Sequence, residues 1–248
     1  MDKIFNKLHS YDIMGYLIPG IFTLTYIIGG VTLLGYPVYL FDKNILTDSI
    51  AFFVLCYYIG LINQELGFFI ECFELKRIFK DTYSNNILKK ESKIILMQDK
   101  IKCWNIMRDH FKIPIDLHIK DTKQLNDKIS EYGHNCYIHC RESLKFLYRN
   151  ANILNQSEIF NIHYGMSRNL LSSSLFSMLY FSIITIFLTY QTNQINIIGL
   201  ILTILSYVCS KMLYKRTHRY AKYHVSNTIK LYLATYDNTE SPSINISR

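Results

Sequence analysis

The sequence predicts an all-α polytopic membrane protein with four transmembrane helices and a helical cytoplasmic region between spans two and three. Three observations predict it. Charge is nearly absent from four windows of roughly 20 residues, each long enough at about 1.5 Å per residue to cross a ~30 Å hydrocarbon core. Charge is dense between the windows, and Lys and Arg are distributed unevenly among the connecting segments. Bulk composition would not decide the class, because 50% hydrophobic and 19% charged residues also suit a soluble domain.

Window one, residues 13–34, has no charge. Window two, residues 50–70, is broken only by Asn63, Gln64 and Glu65. Window three covers residues 170–190; window four runs over 195–210 and is extended by Met212 and Leu213. YPVYLFDKNILTD joins the first two and QTNQ the last two, so both pairs read as tight helical hairpins. A cleavable signal peptide is the rival reading of window one. Its flank is only mildly basic, its apolar run is too long, and no small-x-small site follows before Tyr36.

The charge pattern orients the chain. Residues 1–12 carry two Lys and two Asp, and the loop 36–48 nets −1. Residues 75–169 hold 17 Lys and Arg against 10 Asp and Glu, and residues 211–248 hold seven against two. Positive flanks stay inside, which puts both termini and the middle block in the cytoplasm and implies the plasma (inner) membrane. The net charge of +8 then needs no nucleic acid. Lys76, Arg77 and Lys80, and Lys211, Lys215, Arg216, Arg219 and Lys222, sit beside spans where they attract anionic lipid. The expected organisation is a first transmembrane hairpin over 13–70, a cytoplasmic helical region over 71–168, a second hairpin over 169–213, and a cytoplasmic helix and tail over 214–248.

Within the middle block, the helical spacing of ESKIILMQDKIKCWNIMRDHF predicts one helix ending before Pro114. A second is expected from Asp121 to Tyr148, and a third from Ser157 through Arg168 straight into span three. The six cysteines lie in spans or on cytoplasmic helices, so no disulfide framework is expected. His134, Cys136, His139 and Cys140 crowd one helix, where Cys136, His139 and Cys140 share a face; Cys103, His110 and His118 could complete a metal site. An ordinary helix face is the preferred reading, with no metal and no cofactor. Cysteine–histidine catalysis would need an orienting group and a pocket, and neither is evident. No P-loop, GxGxxG, GxSxG or HExxH motif occurs, so the chain does not read as an enzyme.

Helices associate in lipid through close backbone approach and interhelical hydrogen bonds. Span two carries Cys56, Gly60, Asn63 and Gly67 at steps of 4, 3 and 4, continued by Glu74. Span four carries Gly199, Thr203, Ser206 and Ser210 at the same steps; span three offers Ser174, Thr185 and Thr189, and span one Gly15, Pro19, Thr23 and Gly30. Matching stripes indicate a helix bundle, and Pro19-Gly20 should kink or loosen span one. At 100° per residue Asn63 lies on the small stripe with Gln64 beside it. Glu65 points nearly the opposite way, among Val54, Tyr58, Leu61, Phe69 and Cys72. Three roles are open to this triplet: pairing of Glu65 with Arg168 near the inner interface, a polar constriction in an oligomeric pore, or ion coupling in a transporter.

The layout of four spans, a basic cytoplasmic block and two inside ends resembles small multi-span membrane effectors of bacterial antiviral (antiphage and CRISPR-associated) systems. Its opening YDIMGYLIPG is similar to the first span of many bacterial membrane proteins. The resemblance implies oligomers that disrupt or depolarise a membrane under a cytoplasmic sensing region. Separately, Arg219-Tyr-Ala-Lys-Tyr-His224 resembles the R-x4-H ribonuclease motif of the HEPN family, with Tyr220 where a polar residue is usual. The expected function is a homo-oligomeric effector whose spans form or gate an ion-permeable pathway, lined by Asn63, Gln64 and Glu65. Arg168 would neutralise Glu65 at rest. The trigger would be a protein, nucleotide or nucleic acid acting on residues 75–168. The alternatives are a non-conducting membrane-anchored scaffold and a small proton- or cation-coupled transporter.

Overall fold

Proline has no N–H with which to bond the carbonyl four residues back, and span one shows the consequence. Residues Ile13–Leu17 form a π-helical turn in which the Ile18 N–H donates to the Ile13 carbonyl, and the regular helix α1, Ile18–Leu33, follows with Pro19 in its first turn. The computed structural model describes residues 12–36, 45–71, 73, 83–111, 122–148 and 156–240. The remaining helices are α2 (Ile45–Ile70), α3 (Met97–Phe111), α4 (Thr122–Tyr148), α5 (Gln156–Thr192) and α6 (Ile197–Glu240). All regular structure among the described residues is helical. The N-terminal flank, Cys72, Glu74, Lys76, Arg77, Lys80, Pro114, His118 and the tail from Ser241 lie outside the described residues, as does the His110 side chain.

Four helices are long and apolar enough to cross a membrane: Ile13–Leu33, Asp48–Ile70, Gln156–Thr192 and Ile197–Tyr236. The last two are longer than a bilayer requires. With 37 and 44 residues, α5 and α6 extend about 56 Å and 66 Å. Their apolar stretches meet at a short turn whose polar residues close it. Asn193 adopts a left-handed φ of 51°, and the Asn196 side chain caps α6 by accepting the Gly199 N–H at 2.8 Å.

The chain divides into two compact units. The first comprises residues 1–73 and 162–219, and the second 74–161 and 220–248. The boundaries differ from those expected at 168/169 and 213/214. Residues 162–168 and 214–219 group with the apolar helices because α5 and α6 continue without a break.

Span one meets span two backbone to backbone. A β-carbon at Gly20 would fall inside the Cys56 carbonyl, and one at Gly60 inside the Tyr16 carbonyl, so only glycine permits either crossing. The buried stripe of α2 is Cys56, Gly60, Asn63 and Gly67, while Val54, Tyr58, Ile62, Glu65 and Phe69 are exposed.

The second unit has its own apolar core, in which Trp104 and Met107 of α3, Ile129 and Leu144 of α4, and Val225 and Ile229 of α6 are buried. Helix α3 starts at Met97, six residues later than the apolar spacing suggests. The reason is Lys100, which is 1% exposed. Its ammonium donates to the carbonyls of Lys89 at 2.6 Å, Lys90 at 3.2 Å, and Ser92. Those carbonyls turn inward to a cation, and the Ser92 hydroxyl accepts the Ile94 N–H at 3.4 Å, so residues 91–96 are held out of the helix. Trp104 fixes the same segment by donating Nε1–H to the Leu88 carbonyl at 3.1 Å.

Candidate functional site

The carbonyls of Gly15 and Pro19 in span one seed a buried polar cluster. Gly15, whose carbonyl lost a partner to Pro19, accepts Nδ2 of Asn169 at 2.7 Å. One turn on, the Pro19 carbonyl accepts from Thr23 Oγ1 at 3.1 Å, Asn63 Nδ2 at 3.2 Å and Ser173 Oγ at 3.3 Å. Asn63 also donates to Thr23 Oγ1 at 2.7 Å, and Thr23 contacts Ser173 through their hydroxyls. Thr23, Asn63, Asn169 and Ser173 are all at most 5% exposed. Buried polar groups of this kind hold only when each finds a partner, and here three helices supply them to one another. Asn63 is therefore committed within its own chain.

A second seam joins α5 to α6. Ser174 donates to the Ser206 carbonyl at 3.0 Å and meets the Ser210 hydroxyl at 2.6 Å, while Ser177 and Ser206 meet at 2.7 Å. Gly199 is buried with Thr185 against it, and Thr203 returns its hydroxyl to the Gly199 carbonyl at 2.9 Å.

The pairing expected between Arg168 and Glu65 is replaced by another. Arg168 Nη1 lies 2.7 Å from Glu71 Oε2, and its Nε donates to Asn169 Oδ1 at 3.3 Å. Helix register explains the change. Gly67 packs against Arg168 and Asn169, and Glu71 is four residues on along the same face, whereas Glu65 is two residues back and faces away. Glu65 is exposed, with Val54, Tyr58, Ile62 and Phe69 about it on the same side of α2. Beside it, the Gln64 Oε1 is buried without a hydrogen-bond partner. Sequence periodicity separated Asn63 from Glu65; it did not single out Glu71, the carboxylate that Arg168 takes.

In the second unit His224 is 3% exposed, with Nδ1 3.0 Å from the Ser157 carbonyl and Nε2 2.7 Å from the Tyr137 hydroxyl. That arrangement makes Nδ1 the protonated nitrogen and Nε2 the acceptor of the phenol proton. It lies beyond the apolar stretch of α6, and burial pushes it down to about 4 and the Tyr137 phenol up to about 12. Arg219 is exposed and five residues away, so the R-x4-H spacing brings no guanidinium to this imidazole's face of the helix. Both ring nitrogens are engaged, and the imidazole is a core group that fastens α6 to α4 and to the start of α5.

A small polar cavity opens beside it, lined by Arg141, Lys145, Ser157, Asn161, His224 and Thr228 among others. At about 10 Å³ it is at the lower limit for holding one water. Among the described residues no group of three or more His, Cys, Asp or Glu is arranged to hold a metal ion. Cys103, Cys136 and Cys140 do come together, as free thiols in the core, while His139 turns its Nε2 to the Tyr232 hydroxyl at 3.4 Å. Burial pushes the Lys100 ammonium down from its usual range, but its three carbonyl partners suit the charged form. In comparison with known protein families, curated proteins and solved structures, the chain matches none.

Proposed function

We propose that this protein is an oligomeric membrane effector in which the Glu65 faces of several copies meet and line or gate an ion-permeable path. The observation that carries this reading is the exposure of Glu65 on an otherwise apolar face of α2. A carboxylate on a lipid-facing surface is costly, and the cost is relieved where copies converge on water. Gln64, with a buried and unpartnered Oε1 next to it, supplies an amide for the same lining. Asn63 belongs to the packing of the subunit rather than to the path.

The second unit, with its own core, would receive the trigger, and α5 and α6, each contributing residues to both units, are the covalent route to the spans. Both termini would be cytoplasmic at the inner membrane, as the basic flanks require. The architectural resemblance supports a role for such an effector in antiviral defence.

The test is flux from liposomes holding the purified protein. Wild type is expected to conduct when triggered, and Glu65→Ala to change conductance or ion preference with unchanged folding. A protein that passes no ion with any candidate trigger, and whose Glu65→Ala variant acts as wild type in cells, would end the proposal. Autonomous packing of the second unit favours one other reading, a non-conducting scaffold that recruits a soluble partner. That reading predicts partner capture with no flux.

A further inference from the structure

We propose that one water molecule is bound inside the subunit between α2 and α5, bridging Gln64 and Ser172. Each residue holds an oxygen that is buried without a hydrogen-bond partner, Oε1 of Gln64 and Oγ of Ser172. Ser172 as a whole is 2% exposed. Other hydroxyls of α5 find partners by one of two routes. Ser173, Ser174 and Ser177 bond across to adjoining helices, and Ser182, Thr185 and Thr192 return to the carbonyl four residues back. Ser172 takes neither route. In a bundle that spans a bilayer an orphaned oxygen is costly, since no lipid chain can relieve it.

Helix register brings the two oxygens to one level. Asn63 of α2 and Ser173 of α5 meet on the Pro19 carbonyl, at 3.2 Å and 3.3 Å. Four residues on along α2, a β-carbon at Gly67 would lie 3.0 Å from Asn169 Oδ1 and 3.4 Å from Arg168. The two helices are therefore antiparallel, with 63 beside 173 and 67 beside 169, which sets Gln64 beside Ser172. Direction agrees with level. At 100° per residue Gln64 lies about 20° from Glu71 around α2, and Ser172 about 40° from Arg168 around α5. Glu71 and Arg168 are the two side chains that meet across this seam, at 2.7 Å.

Chemistry selects the ligand. Water donates to the Gln64 oxygen, and it either gives a proton to the Ser172 hydroxyl or takes one from it. A hard metal cation would want about six oxygens, and the Arg168 guanidinium one turn below Ser172 would repel it. The seam also offers a way in. Arg168 and Glu71 keep 12% and 15% of their side-chain surface exposed, and Gln64 is only half-buried. Once bound, the water links the ion pair to the polar cluster of Asn63, Thr23 and Ser173. It uses the inward oxygen of Gln64 and needs nothing of a path at Glu65, so either reading can fail alone.

Two measurements on the full-length protein in detergent test the site. A crystal structure at a resolution that shows ordered water should place one within about 3.2 Å of both oxygens. Thermal unfolding gives a result of opposite sign for a wet and a dry seam. Removing a group from a dry seam removes an orphan and raises Tm, whereas removing it from a wet seam unseats the water. Ser172→Ala and Gln64→Met are each expected to lower Tm by about 2–4 °C. The double variant should lose about as much as the larger single one, because the second change finds the water already gone. A dry gap in the crystal, or a Tm that rises in both single variants, overturns the proposal. Losses that simply add in the double variant overturn it equally. The wild-type crystal structure decides the matter should a variant fail to fold.

Discussion

Arg168 of α5 and Glu71 at the end of α2 form an ion pair of 2.7 Å in which the side chains are 12% and 15% exposed. Asn169, next to Arg168, takes the Arg168 Nε–H on its oxygen and donates its amide to Gly15, so the pair is the outer end of a hydrogen-bonded chain that reaches span one. Breaking a buried pair by removing one member strands the other, at about 3–5 kcal/mol for full burial. With this residual exposure, Arg168→Met is expected to cost roughly 2–3 kcal/mol, read as a fall in Tm in detergent. Glu71→Gln combined with Arg168→Met should recover most of that loss. A single variant as stable as wild type would show that the pair does not secure the bundle.

Close backbone crossing makes a second, sharper prediction. Gly20 faces the Cys56 carbonyl and Gly60 the Tyr16 carbonyl, whereas a β-carbon at Gly29 would meet nothing within 4 Å. Gly20→Ala and Gly60→Ala should each destabilise by about 2 kcal/mol or more, since neither neighbour is a side chain that can move aside. Gly29→Ala should be neutral or stabilising by up to about 1 kcal/mol through helix propensity. Thermal unfolding of the three variants side by side checks the order, and equal behaviour would contradict the crossing.

These two contacts also mark how far the sequence could be read. The 4, 3, 4 spacing of Cys56, Gly60, Asn63 and Gly67 is a local property of one helix, and periodicity is enough to find the face that α2 buries. Which carboxylate Arg168 meets depends on the register of α5 against α2, a relation between elements about 100 residues apart that no local pattern encodes. The same reason hid the Lys100 cage. A lysine in an amphipathic helix looks solvated until the segment before it folds its carbonyls inward.

His224 predicts a pH dependence. Its folded pKa is pushed down to about 4 from an ordinary 6.5, so the unfolded chain binds the proton more readily between these values. Stability is therefore fully present above about pH 6.5 and is lost as pH falls toward 4, by up to about 3 kcal/mol for this group. Unfolding measured at intervals from pH 8 to pH 4 should show that decline. His224→Gln should start less stable, having lost the Tyr137 and Ser157 bonds in part, and should lack the His224 share of the slope. An unchanged slope would mean that the imidazole is not buried neutral.

Asn63 and Glu65, two residues apart, are expected to fail in different ways. Asn63 donates to Pro19 and Thr23 inside the subunit, so Asn63→Ala removes two buried hydrogen bonds. Its cost should be about 1–3 kcal/mol, visible as a lower Tm. Glu65 is exposed, so Glu65→Ala should leave the monomer's unfolding where it is. If copies meet on that face, the loss of a ring of carboxylates should instead lower cation preference, seen as a shift in reversal potential under a salt gradient. Glu65→Gln keeps the shape and removes the charge, so it separates electrostatic lining from simple packing between copies: a shift equal to that of Glu65→Ala indicates charge. The reverse pattern, with Glu65→Ala unfolding the subunit and Asn63→Ala altering selectivity, would mean that the packing face and the water-facing side of α2 have been exchanged.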